Sequence, residues 1–174
     1  SITTGAGNDI VTFGLVSSSF ANGEVFDTGD TINLGAGTDT INVYLDGGNA
    51  HNATYTNVSK IEAINYIDLA NTNAVTATLA DANFQTVTGG TISAAGIAGV
   101  FTLDASAEND SALTITGGNG ADSIIATDTA TAGDTINGGL GADTIDGSLG
   151  GDTITGGAGA DIFKYNVVAD SKGS

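Results

Sequence analysis

The feature that most limits what this chain can become is a nine-residue period near its end. Gly138–Asp146 reads Gly-Gly-Leu-Gly-Ala-Asp-Thr-Ile-Asp, Gly147–Thr155 reads Gly-Ser-Leu-Gly-Gly-Asp-Thr-Ile-Thr, and Gly156–Lys164 reads Gly-Gly-Ala-Gly-Ala-Asp-Ile-Phe-Lys. The nine residues before them lack the glycine pair but keep Gly133, Asp134 and Ile136 in phase, so aspartates stand at 134, 143, 152 and 161. The first half of each unit is turn material, because glycine reaches positive φ at no steric cost and lets backbone carbonyls converge. The second half is strand material, a β-branched apolar residue flanked by polar ones. Turn and strand therefore alternate, and two units close one coil of about eighteen residues. Coils stacked about 4.8 Å apart form two parallel sheets joined by glycine turns. The period predicts an all-β chain, a parallel β-roll or β-solenoid, with Ile136, Ile145, Ile154 and Phe163 in a thin core.

Stacking also fixes where the acids go. Units two apart share one edge of the roll, so Asp143 faces Asp161 and Asp134 faces Asp152. Two carboxylates at 4 Å repel by about 1 kcal/mol even in a water-like dielectric, and by several times that near a protein surface. Lysine and arginine cannot neutralise these columns, since the chain has three lysines and no arginine. A hard divalent ion can: calcium takes about 6–8 oxygen ligands, which paired carboxylates and convergent turn carbonyls supply. A glycine-rich linker is the bland alternative, but linkers do not hold isoleucine in register.

The unit Gly-Gly-x-Gly-x-Asp followed by a large apolar residue resembles the calcium-binding nonapeptide repeat of RTX proteins, bacterial proteins exported by type I secretion. The resemblance implies a β-roll with calcium-binding glycine-rich turns, in which the six turn residues of each unit form half a calcium site. It covers Gly117–Lys164 well, the first 42 residues partially and the middle poorly. The candidate ligands are the carboxylates of Asp9, Asp30, Asp39, Asp122, Asp134, Asp143, Asp152 and Asp161. Backbone candidates in the turns are Gly117, Gly120, Gly138, Gly139, Gly141, Gly147, Gly150, Gly156, Gly157 and Gly159. Several calcium ions are expected.

Earlier in the chain, Thr4–Thr12 matches the unit in all but its first glycine, and Leu34–Asn42 is a good copy. Asp9 and Asp30 are separated by one eighteen-residue coil plus three, as are Asp122 and Asp143, so each end is expected to hold a coil with a three-residue bulge, near 126–128 in the second. Asp9 is then expected to face Asp30, and Asp39 has no partner eighteen residues away. His51 reads as a solvated loop side chain, and Tyr44, Tyr55 and Tyr66 as residues that cap or pack on thin strands. From Thr54 to Thr116 the nonapeptide disappears while strand-like fragments continue. Irregular β-solenoid coils are expected there, with inserted antiparallel hairpins as the competing reading and single helical turns near 60–64 and 78–84. Asp68, Asp81, Asp104 and Glu108 lack the glycine frame and read as surface charge. The organisation expected is RTX-like coils over 1–48, irregular solenoid over 49–116, an RTX β-roll over 117–166 and a tail over 167–174.

Composition narrows function. A net charge of −17 argues against nucleic acid and anionic membrane as partners, and makes ordering depend on counter-charge. Aromatics are only 6% of the chain, which makes a thick core improbable. Cysteine is absent, and no apolar run reaches the eighteen residues a transmembrane helix needs. No signal peptide is visible at the start, and the absence of methionine reads as a piece of something longer. An enzyme needs a nucleophile–base or acid–base pair, for which one histidine and repeat-bound aspartates are poor material. The expectation is a non-catalytic, calcium-dependent structural protein of the bacterial cell surface, similar to RTX-type surface-layer proteins or adhesins. It is exported unfolded, ordered by extracellular calcium and self-associates into a lattice or fibre. The calcium-folding tail of a secreted protease or lipase is the alternative.

Overall fold

A computed structural model of the chain describes residues 1–14, 24–26, 31–45, 51–68, 74–84, 89–129 and 131–165. Among these residues seven coils wind in one sense. The first holds β1 (Ile2–Thr3), β2 (Ile10–Gly14) and β3 (Glu24–Phe26), and the second β4 (Ile32–Asn33), β5 (Thr40–Leu45) and β6 (His51–Thr54). The third holds β7 (Val58–Ser59), β8 (Ala63–Asp68) and β9 (Val75–Thr78). Two strands per coil follow: β10 (Gly90–Ser93) and β11 (Phe101–Asp104), β12 (Leu113–Thr116) and β13 (Ser123–Ile125), β14 (Thr135–Leu140) and β15 (Thr144–Asp146), β16 (Thr153–Ala158) and β17 (Ile162–Lys164). Like strands of successive coils pair to give two seven-stranded sheets, and β1, β4 and β7 add a short third one. Every strand pairing among the described residues is parallel. The expected parallel solenoid is thus the fold, the same two sheets run through all three sequence segments, and the hairpin reading is excluded for the described strands. The helical turns are not formed either: Ala63–Asp68 is a strand and 81–84 a non-helical turn.

Alternation explains the strands. Along β5, Ile41, Val43 and Leu45 are buried while Thr40, Asn42 and Tyr44 face outward and are partly covered, as a pleated strand with one buried face requires. Ile136 and Ile145 are buried as expected. Ile154 is only partly covered, and Phe163 is 41% exposed because no described coil stacks on β17.

One expectation fails in the middle. The core there is not thin: Tyr55, Tyr66, Phe84 and Phe101 are all buried, the Tyr55 and Tyr66 hydroxyls lie 2.7 Å apart, and the Tyr66 and Phe101 rings meet at 5.6 Å. Coil length is irregular, as expected. It is 18 residues between the last coils, 21 just before them, 23 between Asp39 and Glu62 and 30 between Asp9 and Asp39. The predicted three-residue insertion at the C-terminal end does fall between β13 and β14, because Ile125 pairs with Asp146 and Thr135 with Thr153.

Candidate metal centre

The sixth residue of each unit, which immediately precedes a strand, forms two columns on opposite edges of the roll. Strand register places Asp122, Asp143 and Asp161 above one another on one edge. On the other edge the order is Asp9, Asp39, Glu62, Gly90, Leu113, Asp134 and Asp152. Each acid reaches back to the preceding coil. Oδ1 of Asp161 accepts from the backbone N–H of Asp143 (3.1 Å), Oδ1 of Asp143 from that of Asp122 (2.8 Å), and Oδ1 of Asp152 from that of Asp134 (2.8 Å). At the other end Oδ1 of Asp39 accepts from Asp9 N–H at 2.8 Å. The structure therefore brings Asp9 to Asp39. The first coil is 30 residues long, not eighteen plus three as expected. Asp30 itself lies outside the described residues.

The glycines of the repeat make room for two things. At the first position a side chain would strike the acid of the same turn: a Cβ on Gly117 would stand 2.6 Å from Asp122 Oδ2, one on Gly147 2.6 Å from Asp152 Oδ2, and those on Gly138 and Gly156 would be closer still to Asp143 and Asp161. At the second and fourth positions the obstacle is the coil below. A Cβ on Gly139 or Gly141 would overlap the carbonyl oxygen of Gly118 or Gly120, and one on Gly157 or Gly159 that of Gly139 or Gly141. A Cβ on Gly120 would likewise meet Gly99, while Gly150 has the carbonyl oxygens of Ala132 and Thr129 and its own Asp152 around it. Carbonyls and carboxylates thus crowd the same edge.

The acids are not equally satisfied. Asp122 takes N–H donors from Phe101 and Gly118, and Asp134 takes them from Leu113 and Thr127. Burial nevertheless raises both carboxyls to about 6, with the negative charge of Asp143 or Asp152 pushing the same way. Asp143, fully buried, keeps an Oδ2 with no hydrogen-bond partner, and so do Asp9 and Asp39. An unpaired anionic oxygen held out of water is costly unless a cation meets it. Among the described residues no three His, Cys, Asp or Glu side chains converge on one point. The geometry is a ladder in which paired carboxylates and backbone carbonyls provide the oxygens, a donor set that fits a hard, flexible cation such as calcium and not zinc or copper.

Several residues stand elsewhere than the sequence implied. His51 is buried on β6, because its coil places it in the column of Val75 and Phe101. Glu108 is buried, accepting from the N–H groups of Phe84 and Asp110, and Asp68 is also buried. Glu62 is a position-six acid that the glycine frame missed. The signal that finds it is an acid two residues before an isoleucine: Glu62-Ala63-Ile64 repeats the phase of Asp39-Thr40-Ile41 and Asp143-Thr144-Ile145.

Residues 1–15, 114–128 and 128–163 match the family model of the RTX calcium-binding nonapeptide repeat, in four copies covering under half of the chain. No curated protein and no solved structure matches it.

Proposed function

We propose that this RTX repeat protein is a non-catalytic structural component of the bacterial cell exterior, of the surface-layer or adhesin kind, ordered by extracellular calcium. RTX nonapeptide repeats bind calcium, and the proteins that carry them are generally secreted. No helix among the described residues is long and apolar enough to cross a membrane. The observation that carries the finer reading is the interleaving of acidic, glycine-turn coils at both ends with apolar coils in the middle of one solenoid. That build suits a load-bearing rod better than a folding appendage for an enzyme.

The chemistry follows from charge. Without a cation the stacked aspartates repel and the terminal coils loosen, which suits passage of an extended chain through an export channel. Bound calcium neutralises them, at about the 10⁻⁴–10⁻³ M typical of extracellular modules, and folding and binding become one event. Circular dichroism should therefore show a cooperative gain of β structure on adding calcium but not magnesium, whose smaller ion demands near-octahedral ligands. Light scattering in the same titration should show a compact monomer first and larger assemblies as calcium rises. Equal β content in chelator and calcium would remove the calcium reading, and a monomer at every calcium concentration would remove the lattice or fibre.

A further inference from the structure

Glu62 has no glycine turn in front of it, yet it occupies the sixth position of the third coil, directly over Asp39. Its Oε2 accepts from the Asp39 N–H at 2.6 Å, the same bond that every other position-six acid makes to the coil before it. The Asp39 carboxylate in this column is wholly buried, with Oδ2 unpartnered, and the Oδ2 of Asp9 one coil earlier is unpartnered too. Among the described residues no lysine is paired with these acids. The charge beside Glu62 is that of Asp39, of the same sign. Glu108 is the contrast, an off-frame glutamate with each oxygen on its own N–H donor.

We infer that Asp39 and Glu62 hold one further divalent cation of the calcium type, with Glu62 as a ligand supplied by a coil that lacks the repeat. The inference rests on the calcium reading above and extends it to a coil outside the matched stretches. Glutamate suits the position because its extra methylene spans a turn three residues shorter than that of Asp39: Asn33 and Ser59 are paired, and the acids follow by six and three residues. The site ties the second coil to the apolar middle, so cation binding at the N-terminal edge is read directly by the core.

Glu62→Gln tests it, since the amide oxygen still accepts from the Asp39 N–H while the charge is gone. Calcium bound per chain, measured by equilibrium dialysis, is expected to fall by one ion. The near-ultraviolet signal of the tyrosines, three of which are Tyr44, Tyr55 and Tyr66, is expected to need at least tenfold more calcium. Asp143→Asn, on the opposite edge, should lower the ion count without moving that tyrosine titration. Glu62→Asp, too short to span the turn, should behave as the glutamine variant does. An unchanged ion count and tyrosine midpoint in Glu62→Gln would overturn this assignment while leaving the repeat sites standing, whereas a parent chain that binds no calcium would overturn both.

Discussion

At the scale of single residues, the repeat is a steric code before it is an electrostatic one. Gly141 stands at φ +121°, outside the left-handed basin that even asparagine visits, with the carbonyl of Gly120 where a Cβ would go. Gly151, the fifth residue of its unit, has an ordinary φ and nothing within 4 Å of its would-be Cβ. Gly141→Ala is therefore expected to destabilise the calcium-loaded protein by roughly 3 kcal/mol, and Gly151→Ala by under about 0.5 kcal/mol, as measured by urea midpoints. A comparable loss in both variants would refute the claim that position four is glycine for steric reasons. Ser148 shows that the code has slack: at φ 60° it fills a second-position site within reach of a side chain, and its N–H is held by Asp146.

At the scale of elements, each strand inherits its buried face from alternation, while each turn inherits its charge from the column in which it stands. Asp122 and Asp134 are raised from 3.8 to about 6 by burial, and Glu62 and Glu108 shift in the same direction. A folded-state value above the unfolded one means that the folded chain binds the proton more tightly. This contribution to stability is full below about pH 4 and is lost as pH rises through about 6. The metal-free protein should accordingly resist urea better at about pH 4.5 than at about pH 7.5. In saturating calcium the order should reverse, because the cation then competes with protons for the same oxygens. A metal-free midpoint that rises with pH over that window would contradict the buried columns.

At the scale of the whole molecule, the two acid columns do not run its full length. On one edge Asp122 is preceded by Phe101, Val75 and His51, and on the other Gly90 and Leu113 separate Glu62 from Asp134. Phe84 and Leu113 pack so close to Gly90 that no Cβ fits on that glycine. Acidic rungs at either end thus flank an apolar middle. Hydrogen exchange in chelator should leave the amides of β8, β10 and β12 protected longest and those of β2 and β14 to β17 exchanging first, with calcium closing the difference. Uniform exchange along the solenoid would rule out this division.

Composition and period by themselves determined the parallel solenoid, the glycine turns, and the pairing of Asp143 with Asp161 and of Asp134 with Asp152. Those features follow from local sterics and from coils near eighteen residues, whose register can be counted. The partners of Asp9 and Asp39, the burial of His51 and the place of Glu62 were decided only by the folded structure. Where coils grow to 23 or 30 residues, the stacking of residues far apart is set by which apolar side chains close the core together. No count along the chain contains that information.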